Sequence, residues 1–122
     1  MNTMENHSEA IRLRIVISSL DKINHKPLYE EIVFAAKRFG LAGATVLKGI
    51  MGFSESGVIY SRKLFEITEK VPVVIEIIDE PEKIRKFTDT ILPLFDKTQH
   101  DCMISHEMVT VVMHKKNEKH NV

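Results

Sequence analysis

Residues 71–78 read VPVVIEII, the strongest strand signal in the chain. Val73, Ile75 and Ile77 share one face, while Val74 and Ile78 lie on the other beside Glu76. A strand that is apolar on both faces is covered on both sides. Just downstream, Asp79 is placed to cap a helix, Pro81 suits its first turn, and Glu82 suits its positive end. Ile84, Phe87, Ile91, Leu94 and Phe95 make that helix's apolar stripe, and Pro93 predicts a kink or break before the last turn. Residues 96–105 read as polar loop, and 108–114 as a final strand.

Upstream, residues 40–53 read GLAGATVLKGIMGF, with a strand predicted over 44–50. Before it, Leu28, Ile32, Ala35, Ala36 and Phe39 fall on one face of a helix opened by Pro27 and closed by Gly40. Nearer the start, Ile11, Leu13, Ile15 and Ile17 alternate with polar or smaller residues, including Arg12 and Arg14, as in a half-buried strand. Residues 1–10 read as a flexible arm and 115–122 as a polar tail. Residues 51–69 read as a long, partly exposed excursion, with 61–68 strand-like or a short helix.

The element order is strand, helix, strand, excursion, strand, helix, strand. Two β-α-β units in series predict an α+β fold: a ferredoxin-like βαββαβ sandwich over 11–114, with a four-stranded antiparallel sheet and two helices on one face. The other sheet face is then too apolar for water. A closed homo-oligomer with the open faces inside is the simplest remedy.

The 122 residues suffice for one domain, and about two-thirds of the extended chain's surface can be buried at this size. Hydrophobic residues are 43% and charged residues 28%, a composition that argues against wholesale disorder. Lys plus Arg is 17 and Asp plus Glu is 17, and zero net charge argues against nucleic acid as the main partner. The single cysteine, Cys102, excludes an intramolecular disulfide and suits a reducing compartment. No apolar run reaches ~18 residues, so no membrane insertion is expected. The opening residues also lack the order of a secretory signal. The expected location is the cytoplasm.

Several residues invite a chemical reading. Cys102 with His100 and His106 could be a thiol and its base, or with Asp101 a set of metal ligands. The plainer reading is an incidental cysteine among scattered histidines in a polar loop. Glu30–Glu31 and Asp79–Glu80 are explained by helix starts. Neither a dinucleotide fingerprint nor a Walker A loop is present. The informative stretch is 40–53, where Gly40, Gly43, Gly49 and Gly52 bound or interrupt a strand and Lys48 stands beside two of them. Converging backbone N–H groups with a nearby cation suit a small anion.

Three segments carry a family resemblance: His25 to Glu30 (HKPLYE), GLAGATVLKGIMGF (40–53) and VPVVIEIIDEPEKI (71–84). On these the chain resembles the PII-like signalling proteins, in the branch known as domain-of-unknown-function family 190. The resemblance covers about residues 11–114. It implies a homotrimer of ferredoxin-like subunits with an adenine nucleotide of the AMP, ADP or ATP class bound between them, and no other cofactor required. It also implies a mobile loop at 53–70 that docks on a protein target such as a transporter, channel or enzyme. By the same resemblance Gly43 and Thr45 sit in the Gly-x-Thr-Val strand, with Thr45 near the base. Gly52 and Phe53 match the Gly-Phe at the loop's foot, where the glycine approaches the phosphates. Lys48 and Gly49 complete the candidate ligand site, and Ser54, Glu55 and Arg62 are candidate partner contacts. Residues 96–107, DKTQHDCMISHE, hold no glycine where PII proteins carry a glycine-rich loop ended by lysine. A monophosphate, diphosphate or other small anion is therefore favoured over a tightly held triphosphate. The family's role is regulatory, not enzymatic.

Two other readings share the fold. A CutA-like trimer would bind metal or serve structure, with His100, Cys102 and His106 as its test. An acylphosphatase-like hydrolase needs an arginine in a glycine-rich loop after the first strand, and residues 18–26 have Asn24 but neither arginine nor glycine.

Overall fold

The computed structural model describes residues 7–54, 59–61, 70–98 and 101–117. Four strands form one sheet: β1 (Ser8–Ser18), β2 (Thr45–Lys48), β3 (Pro72–Asp79) and β4 (Met103–Val111). The order across it is β2-β3-β1-β4, and every neighbouring pair is antiparallel. With α1 (Leu28–Phe39) after β1 and α2 (Pro81–Ile91) after β3, this is the ferredoxin-like arrangement predicted from the sequence.

The core lies between the sheet and the two helices. Ile11, Leu13, Ile15 and Ile17 of β1 and Val73, Ile75 and Ile77 of β3 pack under Leu28, Ile32 and Ala36 of α1 and Ile84, Phe87 and Ile91 of α2. Register follows from this alternation, since a one-residue slip would turn every one of these side chains to the other face. Ile15 stands opposite both Ile75 and Ile104. Phe39 meets Phe87 edge-on, with ring centroids 5.5 Å apart, and so ties the helices together. Gly40 closes α1 as expected: its φ of +91° is left-handed, and Leu41 N–H donates to the Ala36 carbonyl at 3.2 Å. The break expected at Pro93 is also present, because α2 ends at Ile91 and a 3-10 turn runs over Leu92–Lys97.

Several boundaries differ from the sequence reading. Strand β1 begins at Ser8, so residues 8–10 of the expected arm are strand, paired with Val111, Thr110 and Val109. Strand β2 stops at Lys48, before Gly49. Strand β4 begins at Met103, inside the expected polar loop, and ends at Val111. Its polar residues face partners, not solvent alone: Glu107 pairs with Arg12 at 2.8 Å, and His106 Nε2 lies 2.9 Å from Thr88 Oγ1. Residues 22–27 form a tight two-residue hairpin, Lys22–Ile23 against Lys26–Pro27, turned by Asn24 and His25 with φ of +51° and +66°.

Asp79 does not cap α2. Glu80 holds the cap position, and its own side chain makes no capping hydrogen bond. The Asp79 carboxylate, fully buried, accepts the Glu80 N–H at 2.7 Å and the Ala42 N–H at 2.9 Å. It therefore pins the α1–β2 connection to the end of β3.

The sheet face away from the helices is mixed. One row across it is apolar: Leu47, Val74, Val16 and Met103 stand opposite one another in turn. The next row carries Thr45, Glu76, Arg14 and Ser105, where Arg14 Nε and Nη2 both donate to Glu76 Oε2 at 2.8 and 2.6 Å. Among the described residues no helix is long and apolar enough to cross a membrane.

Candidate functional site

The excursion leaves the sheet through a narrow neck. After β2, Gly49 N–H donates to the Pro72 carbonyl at 2.7 Å, and Met51–Gly52 then pairs antiparallel with Tyr60–Ser61. Gly49 is required by crowding: a Cβ there would lie 2.5 Å from Pro72 Cγ. At Gly52 the same ring would be 3.4 Å away, an ordinary contact. This neck exposes Leu47, Ile50, Met51 and Phe53 together, with Ile50 77% and Phe53 71% accessible.

Beside the neck lies a cavity of about 520 Å³, within the range of small-molecule sites. Val16 and Ile17 from the end of β1, Pro72 from the start of β3, Phe53 from the neck and Met103 from β4 give it apolar walls. Gly52 and Ser54 supply one rim, and Asp101 and Cys102, from the connection before β4, supply the other. The rims touch: Ser54 Oγ donates to Asp101 Oδ2 at 2.6 Å.

The structure divides the predicted site residues into groups. Gly52, Phe53 and Ser54 line the cavity. Gly43, Thr45 and Lys48 do not; all three are exposed, the latter two along β2 and Gly43 just before it, with nothing within 4 Å of a Cβ at Gly43. Gly49 is occupied by Pro72, its N–H and its missing side chain both accounted for. Glu55 and Arg62 lie outside the described residues, as does His100. Val16, Ile17, Pro72, Asp101, Cys102 and Met103 also line the cavity and lie outside the ligand site expected from the sequence; Ile17 carries only the signal of a core residue, and Asp101 none that a loop aspartate would lack.

Cys102 is exposed overall, yet its thiol is pushed up from 9.0, chiefly by partial burial and then by the charges of Asp21 and Asp101. A thiol held protonated is a poor nucleophile and a poor metal ligand at neutral pH. His106 faces α2 instead: Thr88 Oγ1 donates to the Ile84 carbonyl at 2.7 Å, which leaves the hydroxyl to accept from His106 Nε2–H. Among the described residues no three His, Cys, Asp or Glu side chains come together to hold a metal.

Residues 10–111 match the family DUF190, described as Uncharacterized ACR, COG1993. A UPF0166 protein of Aquifex aeolicus (strain VF5) is 40% identical over 100 residues, covering 82% of this chain and 90% of its own length. A UPF0166 protein of Methanocaldococcus jannaschii is 36% identical over 74 residues, 61% of this chain and 68% of its own. Among solved structures, CPII from Thiomonas intermedia K12, a nitrogen regulatory PII-like protein bound to ADP, AMP and bicarbonate, superposes with a TM-score of 0.64 at 18% identity, covering 87% of this chain and 91% of that one. A candidate PII-like signaling protein from Thermus thermophilus gives 0.63 at 20% identity, with 88% and 94% covered. At such identities the likeness establishes the fold.

Proposed function

The chain belongs to the DUF190 family, and on that footing we propose that it is a PII-like, non-enzymatic regulatory protein that binds an adenine nucleotide between the subunits of a homotrimer. The observation that carries this reading is the cavity of about 520 Å³ at the foot of the 53–70 excursion. A ligand there touches Phe53 and Ser54, the first residues of the segment that would answer it. CPII, which shares the fold, binds ADP and AMP. The partly apolar open sheet face supports self-association, and so does the exposed apolar neck.

The mechanism is a shift of loop populations. The ligand acts only so far as it binds one loop arrangement better than another; a tenfold preference is worth about 1.4 kcal/mol. A cytoplasmic protein target, such as a transporter, channel or enzyme, would read the result. Gly52, Phe53 and Ser54 serve as ligand contacts in this reading, with Glu55 and Arg62 further along as partner contacts. Gly43, Thr45 and Lys48 would act from beyond the cavity walls, and Gly49 by letting the neck close on Pro72.

Calorimetric titration of the full chain with ATP, ADP, AMP and cyclic AMP tests it. Saturable heat with at least one is expected. No heat from any of them at about 100 μM protein, near the reach of a weak site, overturns it.

A further inference from the structure

We propose that copies of this chain join edge to edge, β4 of one against β2 of the next, and that Lys48 of the neighbouring copy thereby reaches the rim of each cavity. This rests on the homotrimer and nucleotide reading above and adds how the subunits are joined and where the site's cation comes from.

The sheet ends in two open edges. Among the described residues β2 and β4 each pair on one side alone. Strand β4 is nine residues long, matches β1 one for one without a bulge, and holds no proline or lysine. Its carboxylate, Glu107, is tied to Arg12 within the sheet, while Met103 and Met108 are 66% and 67% accessible. Such an edge takes up another strand unless a charge, a proline or a bulge blunts it. Strands β1 and β2 run one way and β3 and β4 the other. A second copy set alongside with the same face inward therefore offers its β2 antiparallel to β4, the more stable pairing. Repeated head to tail, this contact closes a ring and leaves no edge open.

The side-chain rows set the register of the joint. Leu47, Val74, Val16 and Met103 form an apolar row from edge to edge, and Thr45, Glu76, Arg14 and Ser105 a polar one. Both rows run on into the next copy when its Leu47 stands opposite Met103 and its Thr45 opposite Ser105. A slip of one residue would turn each of these side chains to the wrong face. In this register Lys48 of the neighbouring copy stands opposite Cys102, which lines the cavity. Lys48 is exposed on the lone subunit and lies three strand spacings, about 14 Å, from its own Cys102. Across the joint its ammonium meets the anionic part of a ligand that leaves the cavity past Cys102. A lone subunit thus holds an incomplete site.

Lys48→Cys in the full chain, paired with the native Cys102, tests the joint. Within one chain the two positions are too far apart for a disulfide, whose Cα atoms lie within about 7 Å, so any bridge links two copies. Oxidation with diamide in alkaline buffer, where the raised Cys102 thiol ionises, is expected to give covalent dimers and trimers on a denaturing gel without reductant. Adding Cys102→Ser should abolish them, and Thr45→Cys in place of Lys48→Cys should give at least tenfold less. Calorimetry of Lys48→Gln is expected to show ADP weakened at least tenfold and adenosine within about twofold. No bridge from Lys48→Cys, or an equal one from Thr45→Cys, overturns the joint and the proposal with it. A bridge with ADP binding unchanged in Lys48→Gln overturns the role of Lys48. If the bridge forms but no adenine compound binds the unaltered chain, the nucleotide reading falls while the joint stands.

Discussion

The Gly49 N–H donates to the Pro72 carbonyl at 2.7 Å, and the Pro72 ring stands where a Gly49 side chain would begin. The neck of the excursion is thus a backbone-to-ring contact that admits no Cβ. Gly49→Ala must move the proline or the neck, and overpacking of this kind costs about 1–3 kcal/mol. Gly43→Ala meets nothing within 4 Å at a residue of ordinary φ and is expected to change stability by less than about 1 kcal/mol, on the stabilising side. Urea unfolding of both variants at one fixed protein concentration checks the contrast. Equal stabilities would show that the neck yields freely.

Asp79 holds the other end of β2's approach. Its buried carboxylate bonds two backbone N–H groups, one of them 37 residues away at Ala42. Asp79→Ala leaves those donors without an acceptor and is expected to cost about 1–3 kcal/mol. Amide hydrogen exchange should quicken at Ala42 more than at Ile75 in the core. A loss below about 0.5 kcal/mol in denaturation would mean that water replaces the carboxylate.

Cys102 should resist alkylation at neutral pH. Its thiol is raised above 9.0, so the reactive thiolate stays scarce until the pH passes that value. A pH series with iodoacetamide should show a midpoint above that of an exposed cysteine peptide. Asp101→Asn removes one of the charges that raise it and should lower the midpoint, though not to the peptide's value, because burial is the larger cause. Fast alkylation at neutral pH in the unaltered chain would contradict this.

These sites differ in how far the sequence discloses them. The core was legible because it is periodic: Ile11 to Ile17 and Val73 to Ile77 alternate, and Leu28, Ile32 and Ala36 recur at helical spacing. Strand β4 was legible only in part. Its start at Met103 is an edge strand with Ser105, His106 and Glu107 bonded or opposed across both sheet faces, so no alternation marks it. The 22–27 hairpin has a signal in Asn24-His25, but a weaker one than Asn-Gly. Asp79 beside Pro81 imitates a helix cap, and its true partner Ala42 is reachable only once the sheet exists. Asp101 is of the same kind, since its meeting with Ser54 spans 47 residues.

The row Leu47, Val74, Val16 and Met103 gives the last prediction. It runs across the sheet face away from the helices, with Leu47 52% and Met103 66% accessible in the single subunit. The ion pairs beside it, Arg14–Glu76 and Arg12–Glu107, are partly exposed and of the kind that adds little to stability by itself. If open faces meet in a closed trimer, this apolar row is what they bury. Leu47→Asp leaves a solvated charge on the lone subunit, so folding should survive, but it places several like charges in the assembled interface. Sedimentation at micromolar concentration should show a trimer for the unaltered chain and a folded monomer for Leu47→Asp. A trimer that persists in the variant would move the interface elsewhere. A monomer in the unaltered chain would remove the interface altogether, along with any site that needs two subunits.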